Sequence, residues 1–253
     1  MKREIKKIPF LLLFICITAS VFGQDVSFRE IRRKAKTTYI NNGDTTIIYP
    51  IIVTKNKQVE KIINDAIRSS VFEPEDLKKN QGQDLNAALE TGLISLSYEV
   101  SFRRNGILSM NIFMEGCGAY CSSYTKYFNF DLRTGKTIGL KDIFKAGRLD
   151  SFSARVLEDK RKFLEAYLLE EEKNIPEIID TSSFSIIKEK VTTDCMKTVE
   201  MENFSLSKSA FEITDPCEFP HILRSQEPIY ELKYSYKDLE QVMNPAIRNR
   251  LMK

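Results

Sequence analysis

A basic cluster followed by a short apolar run decides the conditions under which the rest of this chain folds. Lys2, Arg3, Lys6 and Lys7 precede Ile8 to Phe22, a stretch broken only by Thr18 and Ser20. Val21-Phe22-Gly23 then offers small or short residues at the two positions a signal peptidase reads. Residues 1–23 therefore read as a secretory signal peptide, with Gln24 as the mature N-terminus. The apolar run has fifteen residues, shorter than the ~20 a membrane-spanning helix needs. An uncleaved N-terminal anchor is the alternative reading. Cys16 sits inside the run behind Ile15, where a lipobox needs a small residue, so lipidation is not expected. No second run of that length follows, and no transmembrane anchor is expected. The expected location is periplasmic or secreted.

Cleavage changes the charge balance. The whole chain has 38 Lys+Arg against 35 Asp+Glu. Four bases and one acid leave with the signal, so the mature chain carries 34 of each. A near-neutral chain lacks the basic footprint of a nucleic-acid binder. Its length suits one large domain or two smaller interlocked ones.

Export also changes the meaning of the cysteines. Cys117, Cys121, Cys195 and Cys217 remain after cleavage. An even number in an oxidising compartment argues for disulfides. Three pairings exist, and we favour Cys117–Cys121 with Cys195–Cys217 because each pair is close in sequence. The second closes a loop of about 23 residues, worth ~3 kcal/mol in the chain-entropy account. The first closes a very short loop and shapes one turn. A four-cysteine zinc site is the rival, but only Cys117 and Cys121 have metal-ligand spacing. No metal and no cofactor is expected.

The signatures of enzymes are missing from the sequence. The chain has one histidine, His221, in the loop-like stretch Cys217-Glu218-Phe219-Pro220-His221. Any Ser-His-Asp or Cys-His catalysis would have to use it, and no G-x-S-x-G elbow supplies a serine. Neither a Walker loop nor G-x-G-x-x-G occurs. Carboxylate-only chemistry is what stays open. The reading is of a chain with no catalytic residues.

Periodicity orders the mature chain. Ser27 to Lys36 reads as a polar lead-in. Thr37 to Tyr49 reads as a hairpin turning at Asn41-Asn42-Gly43-Asp44. Val59, Ile62, Ile63, Ala66 and Ile67 make one stripe of a helix over Lys57 to Ser69. Glu73 to Asn86 is a charged connector with partial helical character. Leu93 to Arg103, Ile107 to Glu115 and Tyr124 to Leu132 are strands, the first two joined at Arg104-Asn105-Gly106. Ser151 to Lys173 is the longest helix, and Ser183 to Glu189 is ambiguous. Short strands follow at Asn203 to Leu206, Ala210 to Ile213 and Ile229 to Tyr234. Tyr236 to Met243 reads as a terminal helix stopped by Pro245.

Several segments carry a resemblance. They include Tyr49-Pro50, the helix after it, and Leu93-Ile94-Ser95-Leu96-Ser97-Tyr98. Phe128 to Lys136, Ile138 to Phe144, Phe204 to Ile213 and Tyr234 to Leu239 complete the set. In this order they resemble the extracellular domain of RsiV-type anti-sigma factors, also appended to some peptidoglycan deacetylases. The resemblance implies an α+β fold: a curved antiparallel sheet with a few packed helices, in two interlocked modules, residues 24–135 and 136–253. It also implies a non-enzymatic binding module of the cell envelope, with lysozyme or a cell-wall glycan as partner. A carboxylate-based wall-glycan hydrolase and a structural accessory domain are the alternatives. Where family members carry a Gly-Ala-His-Gly-like turn, this chain has Gly116-Cys117-Gly118-Ala119-Tyr120-Cys121. Tyr120, at the tip of that turn, and Tyr124 beside it are the candidate ligand contacts.

Overall fold

The structure, a computed structural model, describes residues 26–35, 45–78, 80–174, 181–228 and 230–252. The signal-peptide reading and the Asn41-to-Asp44 turn lie outside these residues. The fold is α+β. Five strands form one sheet in the order β1-β2-β3-β4-β5: β1 (Ser27–Lys34), β2 (Thr46–Val53), β3 (Leu93–Arg104), β4 (Ile107–Cys117) and β5 (Cys121–Asp131). Every pairing is antiparallel except β2 with β3. The sheet is open, with β1 and β5 as its edges.

Helices α1 (Lys57–Val71) and α2 (Gln81–Glu90) cover one face of this sheet. The Val59, Ile63 and Ile67 stripe of α1 packs on Ile47, Leu96, Met110 and Phe130. Asn56 caps the first turn of α1 by accepting from the Gln58 and Val59 amides. Buried Asn64 spans from helix to strand, accepting from the Ile52 amide and donating to the Ile52 carbonyl. Asp84 of α2 is fully buried and takes two bonds from Arg68 and one from the Lys78 amide. Asp84→Ala therefore strips three donors of their acceptor, and Arg68 is only partly exposed. We expect a loss of about 2 kcal/mol, read as a shift of the urea midpoint.

The opposite face of the sheet carries the second half of the chain. A register shift between Val100 and Phe102 makes β3 bulge. Val100 stays with the helix-covered core, while Phe102 turns to the other side and joins a second core. That second core is built from α3 (Leu140–Ile143), α4 (Leu149–Asn174) and a three-stranded antiparallel sheet. The sheet's strands are β6 (Phe204–Leu206), β7 (Ala210–Ile213) and β8 (Leu232–Ser235). Phe144, Phe152, Phe204, Phe211 and Tyr234 interlock there at ring-centroid distances of 4.7–5.9 Å. Strand β6 is seated on the large sheet by two buried bonds. The Leu206 amide donates to Ser109 Oγ, and Asn129 Nδ2 donates to the Phe204 carbonyl, each at 2.9 Å. Helix α6 (Pro245–Leu251) closes the arrangement. Its Arg250 reaches the β3–β4 turn, binding the Asn105 and Gly106 carbonyls and Asp131. That turn needs positive φ at two successive residues, 53° at Asn105 and 75° at Gly106, as Asn-Gly allows.

A third cluster lies under α4, α5 (Thr181–Lys190) and a following π-turn, Val191–Cys195. The Cys195–Cys217 bridge is buried within it. Beside it Lys160 and Asp215 form an almost fully buried ion pair at 2.6 Å, and Lys160 also donates to the Thr198 carbonyl.

Two sequence expectations change, and two less defined stretches take a definite form. Ser27 to Lys34 is not a lead-in but edge strand β1, and its partner is Thr46–Val53. Its basic side chains suit an edge that faces water on one side. Pro245 does not stop a helix at Met243. It starts α6, with Asn244 as the cap accepting from the Ala246 amide. Tyr236 to Met243 is a series of turns. The ambiguous stretch at 183–189 is helix, and the connector at 73–86 holds a 3-10 turn, Pro74–Asp76, and the start of α2.

Candidate functional site

The site begins with the hairpin joining β4 to β5. Cys117 and Cys121 face each other across it, bonded, with Cα atoms 4.0 Å apart. Such a short span belongs to a pair that exchanges no backbone hydrogen bonds, where side chains approach most closely. The Gly118 amide donates to the Tyr120 carbonyl, completing a three-residue tip. Tyr120 is 71% exposed on that tip. Arg224, from the 3-10 helix His221–Gln226, donates to the Cys121 carbonyl and to Ser122 Oγ. The hairpin is thus braced at its base by the bridge and at its flank by the second half of the chain.

Behind the hairpin lies a recess of about 310 Å³. Its walls are the end of α1 and the following turn (Val71, Glu73, Glu75), the end of α2 (Ala88, Thr91, Gly92), and the strands (Leu93, Met114, Gly116–Gly118, Tyr124). Gly92 is required here. Its φ is +114°, and a Cβ would stand 2.2 Å from the Cys117 carbonyl oxygen. The close approach lets the Cys117 amide donate to the Gly92 carbonyl at 2.8 Å, fixing the hairpin to the helical layer.

Tyr124 stands at the mouth, 46% exposed, with Lys126 Nζ 5.9 Å from its ring centroid. Partial burial and the Glu73 carboxylate push its phenol above the ordinary value, so the hydroxyl stays protonated and able to donate at neutral pH. The recess therefore offers a hydroxyl donor, two carboxylates on one short turn, and an apolar floor at Met114 and Val71.

The structure brings Tyr120, Tyr124, Cys117 and Cys121 together at one end of the sheet. It places Cys195 and Cys217 elsewhere, in the third cluster. Sequence reasoning missed Glu73, Glu75 and Gly92. The Glu-Pro-Glu stretch looked like connector because nothing local shows that it folds over Tyr124. Among the described residues no group of three or more His, Cys, Asp or Glu side chains is placed to hold a metal.

No family model matches the chain, and no curated protein matches it. Its fold is found in solved structures. A DUF3298 family member from Bacteroides fragilis is 14% identical over 90% of this chain and 97% of its own, with a TM-score of 0.60. A DUF3298 family protein from Pseudomonas aeruginosa is 15% identical over 90% of this chain and 96% of its own, with a TM-score of 0.56. At these identities the likeness establishes a shared fold, and this chain has the architecture of those DUF3298 proteins across almost their whole length.

Proposed function

We propose that this chain is an exported, non-enzymatic binding module of the cell envelope, acting in the periplasm or after secretion. The observation that carries the reading is the braced hairpin, whose tip holds Tyr120 exposed and whose strands, with Tyr124, line the recess. An aromatic side chain on a disulfide-closed tip loses little freedom when it is covered, which is how contact residues gain affinity. Two bridges fit an oxidising compartment. No described helix is long and apolar enough to cross a membrane.

The ligand class follows the resemblance to lysozyme-sensing ectodomains: a wall-associated protein such as lysozyme, or wall glycan. Immobilised protein should retain lysozyme or solubilised wall fragments, and Tyr120→Ala should weaken retention at least tenfold. Retention of neither would sink the proposal. Glu73 and Glu75 in one recess favour a second reading, a carboxylate-based wall-glycan hydrolase. Release of reducing ends from purified wall, abolished by Glu73→Gln, would replace the binding reading with this one.

A further inference from the structure

The face of the sheet away from α1 and α2 holds a second recess, of about 630 Å³, at the β5 edge. Tyr127 and Asn129 line it from the strand, with Ile138, Leu140, Leu149 and Phe204 as its apolar wall. Asn129 is 3% exposed. Its Nδ2 donates to the Phe204 carbonyl, which fixes the orientation of the amide, and its Oδ1 has no partner. A buried acceptor left unpaired is unfavourable, and because this oxygen is closed to water, a side chain seated in the recess pairs with it by displacing the groups that cover it.

The strand beside the recess is incomplete. The Asn129 carbonyl accepts from the Ile138 amide, and the Asp131 amide donates to the Lys136 carbonyl. These bonds point away from β4. In a strand the direction repeats every second residue, so the amides and carbonyls of Tyr127, Thr125 and Ser123 also point outward. None has a partner among the described residues. The chain's own segment, paired antiparallel at Phe130 with Thr137, leaves the edge at Gly139 to start α3. The recess lies where it leaves. The edge is therefore already used as a strand-pairing surface for its last residues and is held by Arg224 at the Cys121 carbonyl, and Ser123 to Tyr127 stand open between the two.

We infer that an extended peptide adds as a sixth strand along Ser123 to Tyr127 and places one side chain in this recess. The main-chain groups of the edge bind the peptide backbone at two-residue spacing. The recess selects an apolar side chain that carries a donor, a phenol or an indole, whose O–H or N–H meets Asn129 Oδ1. This site is on the opposite face from Tyr124 and does not depend on the hairpin reading.

The test uses the full mature chain and a phage-displayed random decapeptide library panned on it. Enriched peptides should alternate in polarity around one aromatic donor. Synthetic copies should slow hydrogen exchange at the Ser123, Thr125 and Tyr127 amides. Thr125→Pro removes one outward donor without breaking the β4 ladder, and Asn129→Leu removes the acceptor. Each should weaken binding about tenfold. Tyr120→Ala should leave the affinity unchanged while weakening any hairpin ligand. No enrichment, or enriched peptides that bind both edge variants as tightly as wild type, overturns the inference. So does protection of these amides by soluble wall glycan and not by peptide. If Thr125→Pro fails to fold, hydrogen exchange on the wild-type chain decides alone.

Discussion

Lys160→Met should destabilise the protein by about 3–5 kcal/mol, the usual consequence of leaving one member of a buried ion pair alone. Both side chains are almost inaccessible to water, and Lys160 holds Asp215 at 2.6 Å and the Thr198 carbonyl at 3.0 Å. The Asp215 main-chain carbonyl also accepts from the Tyr230 hydroxyl, so a shift at Asp215 reaches the third core cluster. Replacing both partners, as in Lys160→Met with Asp215→Leu, should recover most of the loss, because no charge then remains in the interior. Urea unfolding of the two variants separates the cases. If the double variant is as unstable as the single one, shape and not charge governs the site.

The same pair sets a pH dependence. Burial raises the Asp215 carboxyl above its usual value, and the hydrogen bond and charge of Lys160 only partly oppose this. A carboxyl whose folded-state pKa lies above its unfolded value binds its proton more tightly in the native state. Its stabilising contribution is present in acid and is lost as pH rises through the window between the two values. Removing Lys160 raises the folded-state value further. The penalty of Lys160→Met should therefore be larger at pH 8 than at pH 5, and an equal penalty at both would contradict the assignment.

Loss of the Cys195–Cys217 bridge is the second large effect. A Cys195→Ser, Cys217→Ser chain should lose about 3 kcal/mol by the loop-entropy account, or roughly 6–12 °C in Tm for a chain of this size. The bridge ties the turn after α5 to the stretch leading into His221–Gln226, and both cysteines lie buried in the third cluster. Cys117→Ser with Cys121→Ser should lower Tm less, because its loop is short, yet weaken any ligand held by Tyr120. Calorimetry beside a binding measurement distinguishes a bridge that supports the fold from one that shapes a contact.

What was legible in the residues was local. The Val59-to-Ile67 stripe fixes α1, and the Asn105-Gly106 turn fixes the β3–β4 register, because each signal is complete within a dozen residues. The edge strand β1 escaped because Phe28 and Ile31 are diluted by four basic residues, a pattern equally suited to a solvated lead-in. Pro245 was ambiguous for a different reason. Proline is compatible with both sides of a helix boundary, and the Asn244 cap decides between them. The hairpin site was half visible. Cysteine spacing marked Cys117 and Cys121, but the recess behind them depends on Glu73 and Gly92, which arrive from elsewhere in the chain. The second recess was invisible, since Asn129 reads as one polar residue in an alternating strand.

The clamp that Arg250 places on the central turn has a consequence in time. It stands 145 residues after Asn105, whose carbonyl it binds. A chain emerging amino end first completes β3 and β4 long before the residue that secures their turn appears. The residues that share the second core with Phe102 and Ile107 are spread over the same interval, from Ile138 to Leu251. The central hairpin of the large sheet is therefore completed by the carboxyl-terminal helix, so the two ends of the described fold are held in one cooperative unit.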